Sequence, residues 1–129
     1  MADGLQALLI EDNPGDARLV EELLKETGEA ISVDWVDSLD DGVQKMLKGD
    51  YDVVLLDLGL PDSDKKDSVS TVHLFDTDTP IVVLSGDTDE EAALQAVRDG
   101  AQDYLVKGTY EGKELMRIIR VAIARCQQS

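Results

Sequence analysis

Four short apolar runs in this chain each close on a residue capable of polar chemistry. Leu8-Leu9-Ile10 ends on Glu11 and Asp12, Val53 to Leu56 on Asp57, Ile81 to Leu84 on Ser85, and Tyr104-Leu105-Val106 on Lys107. Read as parallel strands, these runs deliver three carboxylates, a hydroxyl and an ammonium to one edge of one sheet. Open α/β sheets hold their ligands at that edge. Two carboxylates ~4.5 Å apart repel by roughly 3–4 kcal/mol at an effective dielectric near 20. Lys107 offsets part of the charge, and a divalent cation would offset the rest.

An all-oxygen donor set suits Mg²⁺ or Mn²⁺ better than Zn²⁺. In this reading Asp12 and Asp57 are direct ligands and Glu11 acts through bound water. A carboxylate in such a place can also be a nucleophile that forms an aspartyl phosphate. Asp57 is the candidate, because it ends the buried strand with the flexible Gly59 loop beside it. Phosphoryl transfer needs positioning and charge neutralisation above all, and the metal, Lys107 and Ser85 would each hold one phosphoryl oxygen. Any one of these residues alone is more simply a polar strand end. The inference rests on their convergence.

The elements that must position them alternate along the chain. Leu5 to Ile10 reads as a first strand. Asn13 is an N-cap with Pro14 at the first helical position and Asp16 in the first turn. Ala17, Val20 and Leu24 form the inner stripe of that helix, which Gly28 ends. Ile31 to Trp35 alternates as an edge strand, and Ser38 caps a second helix carrying Leu39, Val43, Met46 and Leu47 up to Gly49. Val53 to Leu56 reads as central, and Gly59-Leu60-Pro61-Asp62 as a turn. A third helix rests only on Val69, Val72 and Phe75. Thr88 and Glu91 form a capping box for a fourth helix with Ala93, Ala96 and Val97 inside. Thr109 caps a fifth, with Leu115, Ile118, Ile119, Ala122 and Cys126 inside and Val121 off the stripe.

Five βα units with short connections imply one α/β domain spanning residues 1–129, with a five-stranded parallel sheet covered on both faces by helices. Strand order 2-1-3-4-5 brings Glu11, Asp12 and Asp57 into one crevice. The 129 residues suffice for one sizeable core, aliphatic because aromatics are only 4%. A net charge of -16 disfavours nucleic acid and anionic membranes as partners. No apolar run approaches the ~20 residues that span a bilayer, and the start Met1-Ala2-Asp3-Gly4 does not read as a secretory signal. A single cysteine, Cys126, fits a reducing compartment, so the expected location is cytoplasmic.

Four motifs together resemble the receiver domain of bacterial two-component response regulators: Leu9-Ile10-Glu11-Asp12-Asn13, Leu55 to Pro61, Val83-Leu84-Ser85-Gly86 and Asp103 to Lys107. The resemblance covers Leu5 to about Arg125. It implies a flavodoxin-like doubly wound fold, so the strand order is not independent of it. It also implies that Asp57 is the phosphoacceptor, that Glu11 and Asp12 organise Mg²⁺, and that the Gly59 carbonyl completes the metal site. Ser85 matches the hydroxyl that turns toward the phosphoryl group, Tyr104 the switch aromatic, and Lys107 the family's lysine. Two departures stand out. Lys65 occupies a position that is usually glycine, and Gly108 replaces the proline that usually follows the lysine, often in a cis peptide.

The implied function is a phosphorylation switch rather than an enzyme. A sensor histidine kinase or histidine phosphotransfer protein donates the phosphoryl group, and the altered face meets a downstream protein or, through the last two helices, a second copy. Asp87 is a candidate for tuning water access. The chain reads as a stand-alone receiver, with a module of a longer regulator or hybrid kinase as the alternative. A flavodoxin-like electron carrier fits poorly, because the first loop, Glu11 to Asp16, would repel an FMN phosphate. An aspartyl-nucleophile phosphatase would want a second acid where Gly59 stands. His73 and Trp35 read as a surface residue and a sheet-edge residue.

Overall fold

Apolar residues in unbroken runs, rather than in alternation, make strands that are buried on both faces, and the computed structural model bears out that reading. It describes residues 4–127 apart from 61–64, 77, 87 and 89, and the side chains of 65, 66 and 127 are also outside the description. The expectations for Asp87 and for the start of the 62–68 loop fall outside the described residues.

The elements run β1 (Leu5–Ile10), α1 (Pro14–Glu26), β2 (Ile31–Val36), α2 (Leu39–Lys48), β3 (Val53–Leu56), α3 (Lys65–Phe75), β4 (Ile81–Ser85), α4 (Glu90–Arg98), β5 (Asp103–Val106) and α5 (Gly112–Gln127). All strand pairings are parallel, in the order β2-β1-β3-β4-β5. Successive strand residues point to opposite faces. Ala7, Leu9, Val53, Leu55, Val82 and Leu84 therefore pack against α1 and α5, among Val20, Leu24, Leu115, Met116 and Ile119. Leu8, Ile10, Val54, Leu56, Ile81 and Val83 form the second layer with Leu39, Val69, Val72 and Ala96.

The helix starts follow local chemistry. Asn13 accepts from the N–H groups of Gly15 and Asp16, and Ser38 accepts from Asp41. Gly28, at φ +73°, lets the chain leave α1 in a conformation that side-chain-bearing residues resist. Gly112 is needed for a different reason, since a Cβ there would collide with the backbone carbonyl of Leu23. The two helices on that face thus touch nearly backbone to backbone.

Several expectations about helix faces need correction. Leu47, Phe75 and Val97 are exposed rather than inside, because α2, α3 and α4 are short and each buries a narrow stripe. Met116, not foreseen as a core residue, is buried. Cys126 is only partly buried and donates its thiol to the Asp78 carbonyl at 2.9 Å. Thr109 does not cap α5. The helix begins later, with Leu115 N–H donating to the Glu111 carbonyl, while Thr109 Oγ1 donates back to Val106. The expected capping box at Thr88 falls beside residue 89, which lies outside the described residues, and the described part of α4 runs Glu90–Arg98. His73 is half-buried, with its ring close over Gly100.

Candidate functional site

Main-chain hydrogen bonds extend the sheet by one residue at the carboxyl ends of its strands, and these bonds place the site. Glu11 N–H donates to the Val36 carbonyl at 3.0 Å and Asp57 N–H to the Ile10 carbonyl at 2.9 Å. On the other side Lys107 N–H donates to the Ser85 carbonyl at 2.8 Å. Glu11, Asp57 and Lys107 are therefore held by backbone pairing before any side chain acts. Carboxylate oxygens of Glu11, Asp12 and Asp57 all lie within 4.8 Å of one another. Glu11 and Asp57 are buried, and Asp12 faces solvent.

Lys107 reaches across this group. Its Nζ lies 2.5 Å from Glu11 Oε1, 2.9 Å from Asp16 Oδ2 and 3.5 Å from Asp57 Oδ1. Glu11 Oε2 also accepts from Asn13 N–H at 3.2 Å, and Asp57 Oδ1 from Gly59 N–H at 3.2 Å. No described buried side-chain polar atom lacks a partner.

The electrostatics follow from burial and charge. Burial pushes the Glu11 carboxyl up to about 7, and its hydrogen bond with Asp57 adds to this, against the opposing pull of Lys107 and the Asn13 N–H. Burial raises Asp57 as well. Its hydrogen bonds with Glu11 and Gly59, the Lys107 charge and Asp12 outweigh burial and hold it below the ordinary carboxylate value. A proton shared by the pair is thus held more tightly by Glu11 than by Asp57. Burial opposes the Lys107 charge, but Glu11, Asp16 and Asp57 overcome that and hold the ammonium above its usual range.

The donor set fits the expected cation. Three carboxylates converge without histidine or thiol, one of them open to solvent, which suits Mg²⁺, an ion that keeps part of its water. Ser85 is the buried last residue of β4. Gly86 follows it in open space, where an added Cβ would meet nothing within 4 Å. Tyr104 is half-buried on β5, opposite Val83 in the register. The Lys107–Gly108 peptide is trans, and Gly108 turns the chain with φ +82°. Asp16 is the site residue that sequence reasoning missed. Its position in the first turn of a helix reads as an ordinary N-terminal acid, although α1 starts so soon after β1 that its first turn must border the same strand edge.

This fold and this acidic crevice define a phosphoacceptor signalling module rather than a classical enzyme. The chain belongs to the response regulator receiver family, whose domain model matches residues 7–120. Receiver domains accept phosphate from histidine kinases in two-component signalling.

Among curated relatives, the cell cycle transcriptional regulator CtrA of Caulobacter vibrioides is 34% identical over 114 residues, covering 88% of this chain and 48% of that protein. This chain thus spans about half the length of the curated relatives it matches. Among solved structures, the receiver domain of sensor histidine kinase PA1611 from Pseudomonas aeruginosa is 27% identical with TM-score 0.80, covering 94% of this chain and 98% of that one. That structure has a magnesium ion coordinated in its active-site cleft. A CheY-like receiver domain protein from Methanospirillum hungatei shares the fold at TM-score 0.81 and 16% identity, covering 98% of each chain.

Proposed function

We propose that this chain is a Mg²⁺-dependent phosphorylation switch whose phosphoacceptor is Asp57. The observation that carries the reading is the convergence of Glu11, Asp12 and Asp57 within 4.8 Å, with Lys107 Nζ 3.5 Å from Asp57 Oδ1. Glu11, Asp12, Asp57 and the Gly59 carbonyl would hold the cation, which supplies charge neutralisation for the transferring phosphoryl group. The magnesium bound by the PA1611 receiver supports that assignment.

Asp57 keeps its negative charge and attacks the phosphorus of a phosphohistidine on a sensor kinase or phosphotransfer protein. The P–N bond breaks, a bond to the Asp57 carboxylate oxygen forms, and the imidazole leaves. Lys107 and the Ser85 hydroxyl then bind phosphoryl oxygens. Attack of water on phosphorus releases inorganic phosphate and restores the carboxylate. Ser85 and Tyr104 reposition on phosphorylation and shift the population of arrangements of the face made by α4, β5 and α5. Leu94, Val97 and Val121 are exposed on those two helices, and they are available to a downstream protein or a second copy through the last two helices. The net charge of -16 argues against nucleic acid or anionic membrane as that partner. A cytoplasmic location, where the kinases of such systems act, completes the reading.

Incubation with acetyl phosphate and Mg²⁺ followed by intact-mass measurement tests this. A single phosphate adduct is expected, absent without divalent cation and absent in Asp57→Asn. An adduct that persists in Asp57→Asn places the acceptor elsewhere and overturns the assignment.

A further inference from the structure

The ammonium of Lys107 has three N–H bonds, and among the described residues two carboxylates lie within hydrogen-bond distance of it: Glu11 Oε1 at 2.5 Å and Asp16 Oδ2 at 2.9 Å. Asp57 Oδ1 stands farther off at 3.5 Å. Asp16 is not one of the three carboxylates whose oxygens converge as a cation site. Its backbone is fixed by the α1 cap, where its N–H donates to Asn13 Oδ1 at 3.2 Å. A flexible four-carbon stem carries the ammonium, so its direction depends on what it touches. Glu11 alone leaves the head free to swing. Glu11 and Asp16 together hold the head from two different elements, with Asp57 Oδ1 standing 3.5 Å away.

We infer that Asp16 is a positioning residue for Lys107: with Glu11 it engages two of the three N–H bonds, so that the third is directed at Asp57 and at a phosphoryl group carried there. The inference rests on the reading of Asp57 as phosphoacceptor. Asp16 acts through Lys107 and touches no reacting atom. Its contribution is orientation, and a misdirected charge in such a site costs rate steeply.

The test is a double-mutant cycle read as the rate of acetyl-phosphate labelling in Mg²⁺, with thermal unfolding as a check on folding. Asp16→Ala is expected to label roughly tenfold more slowly. Lys107→Met is expected to be slower still, and Asp16→Ala added to Lys107→Met to change nothing further. Calorimetric titration with Mg²⁺ alone should find affinity within about threefold of wild type in Asp16→Ala, because a half-exposed carboxylate outside the cation's ligand set is screened. If Asp16→Ala does not fold, Asp16→Asn replaces it in the same cycle. Labelling of the Asp16 variant at the wild-type rate overturns the inference, as does an equal slowing with and without Lys107. So does a large loss of Mg²⁺ affinity, which would assign Asp16 to the cation. Wild-type protein that takes no label overturns the phosphoacceptor reading together with this one.

Discussion

Trp35 donates its indole N–H to the main-chain carbonyl of Glu11 at 2.7 Å. The one tryptophan of the chain is therefore tied to the backbone of an acid in the candidate cation site, although it sits on the edge strand and is 40% exposed. An indole held this way senses small shifts of its acceptor. Adding Mg²⁺ should change Trp35 emission with a saturating dependence on concentration. The midpoint should match the calorimetric affinity, and the change should be absent in Asp12→Asn. Emission indifferent to Mg²⁺ across the calorimetric binding range would show that Glu11 does not move when the cation binds.

Burial of Glu11 makes stability depend on pH in a definite direction. Its carboxyl titrates near 4.5 when unfolded and at about 7 in the fold, so the folded state binds the proton more tightly. The stabilisation is complete below about 4.5 and is lost as pH rises through about 7. Asp57, held low, acts with the opposite sign but only below its own ordinary value, and Lys107 stays charged throughout the window. Without divalent cation, urea unfolding between pH 5 and 8 should show stability falling on the order of 2–3 kcal/mol with rising pH. Glu11→Gln should flatten that slope and be more stable than wild type at pH 8. An unchanged slope in Glu11→Gln would assign the titration to another group.

Two glycines should respond oppositely to the same substitution. Gly112→Ala drives a methyl group into the Leu23 carbonyl, where backbone cannot step aside, and should cost about 1–3 kcal/mol in chemical denaturation. Gly86→Ala meets nothing within 4 Å and should stay within about 0.5 kcal/mol of wild type. Equal costs at the two positions would mean that the α1–α5 approach is looser than the geometry indicates.

Cys126 should be a sluggish thiol. Burial raises its pKa, and the Asp78 and Asp76 charges raise it further, while the proton is engaged by the Asp78 carbonyl. Only the thiolate is nucleophilic. Alkylation of the native protein near pH 8 should be several-fold slower than in urea, followed by mass. Equal rates would mean that the contact between α5 and the residues before β4 is not held in solution.

The sequence by itself determined the strands and the chemistry at their ends, while their order came with the family resemblance. Runs such as Val53 to Leu56 can be satisfied only by burial on both faces, and the polar residue that stops each run must then emerge at the edge. Helix faces were less legible. Leu47, Phe75 and Val97 have the spacing of inner residues, yet the short helices that carry them bury only a narrow stripe. The cap of α5 was misplaced because Thr109, a good capping residue, found an acceptor in Val106 instead.

What only the tertiary structure decided is how one ammonium is shared. Lys107 lies 96 positions from Glu11 and 91 from Asp16 in the chain, and no local pattern relates them. Parallel pairing through β1, β3, β4 and β5 carries Lys107 across the sheet to the first βα turn. The start of α1 then supplies Asp16 from the side. Residue types can announce that a charge is needed at an edge. The direction in which that charge points depends on distances between elements that are remote in the chain, and those exist only after the sheet has closed them.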